Sequence, residues 1–393
     1  MYDAIVVGAR CAGSPTAMLL ARQGYRVLLL ERATFPRDTL STHYIHQPGV
    51  ARLREWGVLD AIIASGAPAM RRTVYAVSGV RLAGQATVGD GSDTAAYGPR
   101  RQILDQILAR AAEQAGATVR LGASVTDLVE EGGRVVGVKY TSDGREYLER
   151  CSLVIGADGM HSTVARLAGA ATYADHLPRT CIYYTYWSGL PADFELYEAP
   201  GRWVGTVRTH DDLTLVAAYF PQHEFDQVRR NALDAYLRNI AETAPDLGER
   251  LSGATQAERL RAKGDQLNFM RQAAGPGWAL VGDAGHHKDS ITARGISDAF
   301  TQAALLARHL QGVLPDPVRT AAALRAYAAE RDVLLDPGYQ ATLLTARLTV
   351  QPDRLALLRA IEGDQELVDR YFAVVAGALP SEELVSPELL ARL

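Results

Sequence analysis

The sequence predicts a mixed α/β protein whose centre is a parallel sheet. Two observations point to this fold class. Short apolar segments, typical of parallel strands that are buried on both faces, recur at residues 3–7, 26–31 and 152–155. The first two flank a glycine-containing turn and an amphipathic stretch at residues 12–23. Strand, turn, helix and strand therefore form one βαβ unit at the start of the chain.

Length and composition favour a folded chain with two interleaved domains. The chain has 393 residues, which is more than one ordinary core accommodates. It is 48% hydrophobic and 22% charged, a composition that argues against a disordered protein. The net charge of −4 gives no reason to expect nucleic acid as a partner, because binding to phosphates requires clustered Lys and Arg.

The cysteines and the hydropathy pattern indicate where the protein is expected to work. Cys11, Cys151 and Cys181 are widely spaced, so neither a zinc site nor a disulfide framework is indicated, and a reducing cytoplasm fits best. The N-terminal apolar run is short and carries Asp3, unlike a secretory signal. No segment reaches the ~20 apolar residues of a membrane span, so no membrane span is expected.

Further elements follow the first βαβ unit. Helical periodicity predicts helices at residues 47–64 and 99–115, and the alternating stretch 73–97 between them predicts strands of a side sheet. A short strand at 118–121 precedes a β-meander whose turns are EEGGR and SDGRE. The meander strands are predicted at residues 124–131, 134–141 and 146–151, and the buried strand 152–155 follows them.

The second half of the chain mixes strands and helices. An aromatic-rich stretch at residues 179–220 contains two predicted strands, CIYYTYWSGLP and LTLVAAYFP. A helix is predicted near residues 225–244, a strand in GWALVGD and a long helix at about 295–310. Everything beyond Pro315 is predicted to be helical, with three shorter segments after Pro337.

The turn GARCAG, residues 8–13, has the outline of a dinucleotide fingerprint. Gly8 provides the tight turn, Gly13 lets the helix pack closely on the strand, and the helix N-terminus offers N–H groups to a phosphate. Arg10 replaces the middle glycine, and its side chain either points away from the ligand or folds over the diphosphate. Glu31, eighteen residues after Gly13, matches the acid that binds a ribose diol. The alternative is an ordinary βα turn with incidental glycines.

Two later motifs bear on this choice. Residues 153–169, LVIGADGMHSTVARLAG, resemble the Asp-Gly motif of flavoprotein aromatic hydroxylases, whose type is p-hydroxybenzoate hydroxylase. Residues 278–310, WALVGDAGHHKDSITARGISDAFTQAALLARHL, resemble the Gly-Asp motif of the same family. The three motifs occur in the family's order over roughly residues 1–335. The resemblance implies a Rossmann-like FAD-binding domain interleaved with a β-sheet substrate domain.

The resemblance also implies how the chain divides. The FAD-binding domain is expected to be discontinuous, at residues 1–72, 98–178 and 265–335. The substrate-binding sheet is expected at residues 73–97 and 179–264, and a C-terminal helical segment at residues 336–393.

The family's cofactor contacts carry over to positions of this chain. The resemblance implies that Asp283 accepts hydrogen bonds from the ribityl hydroxyls and that Arg101, with Arg100 as the alternative, reaches the ribityl and phosphate region. The helix start at residues 292–296 would face the flavin pyrimidine edge, where its dipole stabilises negative charge. Asp158 either takes part in binding FAD and the nicotinamide nucleotide together, or caps the helix that follows it. The full predicted set is Gly8, Arg10, Cys11, Ala12, Gly13, Glu31, Arg32, Arg101, Val125, Asp158, Gly282, Asp283, Thr292, Gly295 and Ile296.

One loop departs from the family pattern. The chain has Ser290 and Thr292 where the family usually has Pro and Gly, whereas Gly295 stands where the family has its glycine. The path of the loop before the long helix is therefore not implied by the resemblance.

Aromatic and histidine side chains provide the candidate substrate contacts. Alternate residues of a strand share one face, so tyrosines in the aromatic-rich stretch can line a pocket, with ordinary core packing as the alternative. The candidates are His43, Tyr184, Tyr186, Tyr219 and His286. No metal site is predicted, because His286, His287 and Asp289 have no further ligand at helical spacing.

The resemblance implies an FAD-dependent monooxygenase that uses NADH or NADPH and O2. In this family reduced flavin takes up oxygen as a C4a-hydroperoxide and transfers the distal oxygen to an electron-rich substrate. The substrate would be an aromatic, polycyclic or polyketide-like small molecule of secondary metabolism, and the enzyme a monomer or a homodimer.

Three alternatives remain at this point. A flavin-dependent halogenase would carry a Trp-x-Trp-x-Ile-Pro stretch and a reactive lysine, whereas YWSGLP has Tyr186 and Ser188 at the tryptophan positions. A prenyl double-bond reductase of the geranylgeranyl reductase kind shares a motif like DSITARGISDAF, but its cysteine-bearing loop is not evident in residues 35–50. A non-enzymatic carrier or regulator would not need the acids and the arginine of the predicted cofactor site.

Overall fold

The computed structural model describes residues 1–86, 95–384, 387–390 and 392. Residues 87–94 of the predicted side-sheet segment lie outside the described residues. The strands, in chain order, are β1 (Tyr2–Val7), β2 (Val27–Glu31), β3 (Ala69–Met70), β4 (Thr73–Val77), β5 (Val80–Gly84), β6 (Ala96–Tyr97), β7 (Thr118–Leu121), β8 (Ser124–Glu131), β9 (Arg134–Ser142), β10 (Arg145–Gly156), β11 (Thr172–His176), β12 (Thr180–Ser188), β13 (Phe194–Ala199), β14 (Arg202–Arg208), β15 (Leu213–Pro221), β16 (Thr255–Gln256), β17 (Arg261–Lys263), β18 (Asn268–Arg271), β19 (Ala274–Gly275), β20 (Trp278–Leu280) and β21 (His286–His287).

Helices connect and cover these strands. The α-helices are α1 (Gly13–Arg22), α2 (Gln47–Glu55), α3 (Leu59–Ala64), α4 (Arg101–Gln114), α5 (Thr163–Leu167), α6 (Phe225–Val228), α7 (Ala232–Thr243), α8 (Pro245–Leu251), α9 (Gly295–Leu310), α10 (Pro317–Thr345), α11 (Pro352–Ile361), α12 (Gln365–Ala376) and α13 (Pro387–Leu390). Single 3-10 turns lie at Gln222–Glu224, Arg229–Asn231, Gly282–Ala284, Ser290–Thr292 and Ser381–Leu384.

The centre of the protein is a largely parallel sheet in the order β19-β20-β10-β1-β2-β7. β1 pairs in parallel with β2 and β10, and β7 and β20 extend the sheet in parallel on either side. Helices α1, α4 and α9 cover one face, and the β8–β9 meander with α5 covers the other. All residues of β2 are buried, as expected for a strand that is covered on both faces. The predicted α/β class is confirmed.

One strand links the β-meander to the parallel sheet. The predicted strands 146–151 and 152–155 are one continuous strand, β10. Its first half, residues 145–150, pairs antiparallel with β9, and its second half pairs in parallel with β1. The change of partner along a single strand explains why the sequence pattern changes from alternating to fully apolar there.

The second large sheet has the order β16-β12-β15-β14-β13-β4-β5, with β17 also paired to β12. Its side chains alternate between two cores. Tyr184 and Tyr186 face a core shared with the C-terminal helices, whereas Tyr183 and Trp187 face a core completed by α7 and α8. Both large sheets lie within the segments predicted for the two domains, and the division into domains itself stays a prediction.

Two helix predictions were wrong in detail. The predicted helix 47–64 is broken into α2 and α3, because Gly57, with a φ of +69°, adopts the left-handed conformation that ends helices. By contrast, α10 continues through Pro337 over 29 residues. Proline removes the N–H donor for the carbonyl of Val333, but the buried residues on the inner side, such as Leu335 and Tyr339, hold the helix in place on both sides of Pro337. Despite its length, neither α10 nor any other described helix is apolar enough to cross a membrane.

The C-terminal helices close one face of the second sheet. Leu358 and Ile361 of α11 and Phe372 of α12 join the core that contains Tyr186. The backbone N–H of Gln85, just beyond β5, donates to the Asp369 carboxylate on α12 at 2.9 Å. The segment after α10 therefore covers the sheet face that carries the predicted substrate contacts.

Candidate functional site

The three predicted motifs meet at the carboxyl ends of β1, β10 and β20. A Cβ atom on Gly8, in the first motif, would lie 2.5 Å from the carbonyl oxygen of Ala157 in the second. A Cβ atom on Gly282, in the third motif, would lie 2.7 Å from the Cβ of Ala12 in the first. The carboxyl ends of parallel strands are where open α/β sheets bind their ligands. The fold thus brings the motifs together at the edge where a ligand is expected.

Gly8 and Gly13 make the turn after β1 possible. Gly8 has a φ of +101°, in the left-handed region that favours glycine. A Cβ atom on Gly13 would lie 1.8 Å from the carbonyl oxygen of Gly8, which no side chain permits. Since α1 begins at Gly13, its first N–H groups lie directly beneath the turn. The close approach of strand end and helix start depends on both glycines.

Glu31 holds the turn from the end of β2. Its buried carboxylate accepts hydrogen bonds from the backbone N–H groups of Ala9 and Ala33, both at 2.9 Å. An ionised carboxylate accepts about four hydrogen bonds, so acceptor positions remain for a ribose diol. The N–H of Ala123 donates to the Glu31 carbonyl at 2.9 Å, which places the start of β8, with the partly buried Val125, next to this acid.

A buried acid that the sequence analysis missed, Asp105, gathers the positive side chains of the site. Arg101 donates to both carboxylate oxygens at 3.1 Å, and Cys11 Sγ lies 3.6 Å from Oδ1. Arg10 Nε lies 3.9 Å from Oδ2, and the Arg10 side chain is 26% exposed. Burial raises the pKa of the Asp105 carboxyl and raises the pKa of the Cys11 thiol to about 12. Two guanidinium groups therefore share one carboxylate, which leaves positive charge beside the glycine turn.

The sequence did contain a signal for Asp105. Residues four apart on a helix are neighbours, so an acid at position 105 of α4 lies next to Arg101. Asp105 also falls between Leu104 and Leu108 on the buried side of the helix. A carboxylate on a buried face needs a cationic or hydrogen-bonding partner, and that requirement identifies the residue.

Arg100, the alternative to Arg101, points elsewhere. Its guanidinium lies 4.0 Å from the centre of the Tyr186 ring and forms ion pairs with Asp38 at 3.1 Å and Glu258 at 2.8 Å. Arg100 thus fastens the loop after β2 to the second sheet, and Arg101 is the arginine beside the glycine turn.

The start of α9 forms the opposite end of the site. Gly295 begins the helix and is exposed, and a Cβ atom there would meet no atom within 4 Å. The buried Ile296 anchors the first turn. In the preceding loop, Thr292 Oγ1 lies 2.8 Å from Thr342 Oγ1 of α10. Open space therefore lies beside Gly295 at the start of α9, and a helix N-terminus suits the anionic edge of a ligand.

Asp283 is placed to meet a polar ligand. It follows Gly282, whose N–H donates to Gln302 Oε1 of α9 at 3.0 Å and so fixes the turn after β20. The Asp283 side chain is 48% exposed, and Oδ2 lies 4.0 Å from His287 Nε2. Its carboxylate is thus accessible to hydroxyl groups. Arg32, another predicted contact, is also exposed.

Asp158 caps a helix. One of its oxygens accepts from Ser162 Oγ at 2.5 Å, and the other accepts from the N–H groups of Thr163 and Val164 at 2.7 and 3.1 Å. This is the capping alternative of the sequence analysis. The contact of Asp158 with a cofactor stays a prediction.

A buried ion pair lies behind the loop that precedes α9. Lys288 in this loop pairs with Asp298 in the first turn of the helix. Burial raises the pKa of Asp298, but the Lys288 and Arg294 cations outweigh burial and hold that pKa at about 2. Asp298 is therefore ionised at neutral pH and neutralises Lys288.

Asp289 ties the same loop to the second sheet. Its buried carboxylate accepts hydrogen bonds from Thr180 Oγ1 at 2.6 Å, from the N–H of Ile291 at 3.0 Å and from Gln266 Nε2 at 3.1 Å. Burial raises its pKa to about 6, although the hydrogen bond from Thr180 opposes the shift. Asp289 therefore holds a proton in the folded protein at pH values where an unfolded chain has lost it.

We expect Asp289→Asn to reduce the pH dependence of stability between about pH 4 and pH 6. Because the folded pKa lies above the ordinary value of an Asp carboxyl, the folded state binds more protons in this window, so the free energy of unfolding falls as the pH rises through it. Full ionisation of Asp289 lowers the free energy of unfolding by at most about 3 kcal/mol. Urea unfolding from pH 4 to pH 7 measures the effect.

The control for this change is Asp353→Asn, which alters an exposed acid at the start of α11. It should keep the wild-type dependence of unfolding free energy on pH. Equal slopes in wild type and Asp289→Asn would show that Asp289 does not titrate as its burial implies.

Four of the five candidate substrate contacts lie together. His43 Nε2 is 2.5 Å from Tyr186 Oη, and the ring centres of Tyr184 and Tyr186 are 6.1 Å apart, edge to face. Tyr219 Oη lies 3.0 Å from Ser290 Oγ in the loop before α9. None of these four candidates is more than 3% exposed. They form a closed, aromatic surface between the second sheet and the start of α9.

Burial and nearby positive charge keep His43 of this surface neutral. His286, the fifth candidate, lies outside the surface. Burial, followed by the nearby Arg100 and Arg101 cations, lowers the pKa of His43 well below its ordinary value. His286 instead packs against Tyr339 of α10, with ring centres 5.5 Å apart. The structure therefore does not bring His286 together with His43 and the three tyrosines.

Metal-binding clusters and surface clefts are the other features that could form a site. Within the described part of the chain, no three metal-binding side chains come together. A surface cleft of about 670 Å³ lies on the far side of the second sheet and contains none of the predicted site residues. It is lined by Arg72, Val74, Arg81, Gly189, Leu190, Pro191, Ala192, Asp193, Glu195, Arg208 and Asp212.

Known proteins match this chain in sequence and in fold. Residues 1–335 match the family model described as "FAD binding domain". This is the range over which the sequence resembles the flavoprotein hydroxylases. Among curated proteins, digeranylgeranylglycerophospholipid reductase of Methanosarcina acetivorans is 29% identical over 311 residues, which cover 76% of this chain and 72% of the reductase.

Solved structures superpose over nearly the whole chain. The flavin-dependent brominase Bmp2 has a TM-score of 0.82 and 18% identity, with 96% of this chain and 93% of the brominase covered. PqsL of Pseudomonas aeruginosa, described as "a probable FAD-dependent monooxygenase", has a TM-score of 0.73 and 20% identity, with 95% and 99% covered. At these identities the likeness shows a shared fold.

Proposed function

Because this chain belongs to the FAD-binding-domain family, we propose that it is an FAD-dependent monooxygenase that uses NADH or NADPH and O2 to hydroxylate or epoxidise an aromatic or polyketide-like small molecule. The observation behind this reaction is the aromatic surface of Tyr184, Tyr186 and Tyr219, which meets the loop before α9. Flat apolar walls with a few polar groups are typical of sites for aromatic ligands.

The nucleotide end of FAD fits the residues around the glycine turn. Gly8 and Gly13 keep side chains away from the place where the diphosphate would meet the N-terminus of α1. Arg10 and Arg101 supply positive charge that Asp105 neutralises only in part. Glu31 keeps acceptor positions for the ribose hydroxyls.

The flavin end fits the turn after β20 and the start of α9. Asp283 would accept hydrogen bonds from the ribityl chain, and the N–H groups behind Gly295 would face the pyrimidine edge. When bound, FAD would supply electron transfer from the nicotinamide and activation of oxygen. The chain itself would support the substrate site from behind through the buried pair of His43 and Tyr186 and exclude water with α11 and α12.

The positions and ion pairs of the lysine side chains argue against halogenation. The chain has three, Lys139, Lys263 and Lys288. Lys139 lies on the meander with 54% of its side chain exposed, and Lys263 pairs with Asp265. Lys288 lies in the loop before α9, and Asp298 neutralises it. A reactive lysine needs an amine that is available to the substrate, and none of the three offers one at the aromatic surface.

Reduction of prenyl double bonds is the second candidate. It is favoured by the similarity to a digeranylgeranylglycerophospholipid reductase over 76% of this chain. A reductase would use the same FAD contacts but would add hydrogen to its substrate instead of oxygen.

The experiment compares the two reactions directly. FAD-loaded protein is supplied with NADH or NADPH and with phenolic, polycyclic or polyprenyl compounds under ¹⁸O-labelled oxygen. A monooxygenase oxidises the nicotinamide faster with its substrate and places one ¹⁸O atom in the product. Consumption of a polyprenyl compound without ¹⁸O incorporation would assign the reductase activity instead.

We expect Arg10→Gly to weaken FAD binding about 10- to 100-fold, because one charge-assisted hydrogen bond to the diphosphate contributes about 1.5–3 kcal/mol and each ~1.4 kcal/mol is tenfold in affinity. Arg10→Lys should retain part of the affinity. Titration of the FAD-free protein, followed by flavin fluorescence, measures the change. The control is Arg110→Gly, which alters an exposed arginine of α4. Unchanged or tighter binding in Arg10→Gly would mean that Arg10 serves only the Asp105 cluster.

A further inference from the structure

Helix α10 has a second apolar face opposite the one that it buries. The buried face packs inward through Leu324, Tyr327, Leu335 and Tyr339. On the other side, apolar residues recur every three or four positions through most of the helix and again near its end. This outer face consists of Val318, Ala322, Ala326, Ala329, Val333, Pro337 and Leu344.

The outer face is open in the single chain. All seven of its residues are exposed, and Val318 and Val333 are 78% and 77% exposed. Single exposed apolar residues are ordinary, but a continuous row of them marks an interaction site. A helix that is apolar on opposite faces is normally buried on both.

We propose that the outer face of α10 binds the same face of a second copy, as an antiparallel pair about a two-fold axis. The sizes of its residues are self-complementary. Val318 and Leu344 lie at the two ends of the face, and between them Ala322, Ala326 and Ala329 precede the larger Val333 and Pro337. Antiparallel pairing places the three alanines of one helix against Val333 and Pro337 of the other, where the helices can approach closely, and brings Val318 to Leu344 of the second copy at each end.

Charged residues beside the outer face support the same register. Arg325 and Asp336 are both exposed, and their spacing of eleven residues, about three turns, puts them on the same edge of the face. A two-fold axis midway between them brings Arg325 opposite Asp336 of the second copy, in two equivalent pairs. The same axis places Val333 of one helix at the level between Ala326 and Ala329 of the other. Charge and shape therefore specify one arrangement.

A membrane surface suits the outer face less well. Helices that lie on membranes carry Lys and Arg along their polar flanks. The flanks here mix Arg325 with Glu330 and Asp336, and such mixed charge favours a protein partner over anionic lipid. A second copy is the partner whose charges and shape match.

Sedimentation of the full-length chain between 1 and 100 µM tests the pairing. We expect a dimer whose dissociation constant rises at least about 100-fold in Val333→Asp and at least about tenfold in Arg325→Asp. The charge swap Arg325→Asp with Asp336→Arg should return to within about threefold of wild type. Leu233→Asp, at an exposed position of α7, is the control and should leave the dimer unchanged.

Three results would overturn the pairing. One is a wild-type chain that is monomeric at 100 µM. Another is a dimer that neither Val333→Asp nor Arg325→Asp weakens, or that the charge swap fails to restore, while circular dichroism shows folded variants. The third is a monomer that binds phosphatidylcholine vesicles through Val333.

Discussion

Replacing Gly13 with alanine is expected to give a protein that no longer retains FAD. The new Cβ would lie 1.8 Å from the carbonyl oxygen of Gly8 and 3.0 Å from the Cβ of Ala157. The strand end and the helix start would have to separate, at a cost of about 1–3 kcal/mol in the folded state. The first N–H groups of α1 would then move away from the diphosphate. Affinity for FAD should fall at least about 100-fold, because the N–H groups that bind the anion are no longer held in position. Titration followed by flavin fluorescence measures the change.

The matched control is another glycine with space around it. Gly253 is exposed, and the nearest atom to an added Cβ is the Arg250 carbonyl oxygen at 3.8 Å. Gly253→Ala should bind FAD like wild type. Wild-type affinity in Gly13→Ala would show that the turn after β1 does not form the nucleotide site.

Asp105→Ala is expected to cause the largest loss of stability of any single change in the site. The substitution leaves Arg101, whose side chain is only 12% exposed, and the partly buried Arg10 without their shared acid. Removing one partner of a buried ion pair typically costs about 3–5 kcal/mol, because the remaining charge stays buried and unpaired. Urea unfolding of the FAD-free protein measures the loss.

A double substitution separates this effect from simple loss of packing. Arg101→Leu combined with Asp105→Leu removes both charges, and it should be less destabilising than the two single changes added together. Asp234→Ala, in the first turn of α7 and on its exposed side, is the control for loss of a surface acid. A change below about 1 kcal/mol in Asp105→Ala would mean that the cluster is not held by this carboxylate.

Local chemistry explains why the turn after β1 could be predicted from the sequence. The conformations of Gly8 and Gly13 and the position of Glu31 follow from residues within one βαβ unit. The start of α9 at Gly295 was likewise predictable, because the glycine and the apolar period after it are local signals.

Features that depend on distant parts of the chain were missed. Asp105 is indicated locally by Arg101 and by the buried side of α4, but its contact with Arg10 was missed because Arg10 is far away in the chain. A helix end is predicted at Pro337, because nothing near it in the sequence shows that the buried side of α10 holds the helix together. The sequence left open whether Asp158 caps the helix that follows it or binds a ligand. A carboxylate can do either, so the residue type does not decide between them.

The aromatic surface was predicted only in part. Alternation along β12 and β15 correctly placed Tyr184, Tyr186 and Tyr219 on one face. The sequence did not indicate that α11 and α12 close this face, because the contacts join segments far apart in the chain. His286 was grouped with these residues on the basis of its type, whereas the loop path turns it toward α10.

If the three motifs form one FAD site, the purified chain should bind FAD with a stoichiometry of one. Titration of FAD-free protein with FAD, monitored by flavin absorbance and fluorescence, measures this directly. We predict saturation at one FAD per chain, with binding lost in Gly13→Ala and kept in Gly253→Ala. A folded wild-type protein that takes up no FAD at any concentration would contradict the site.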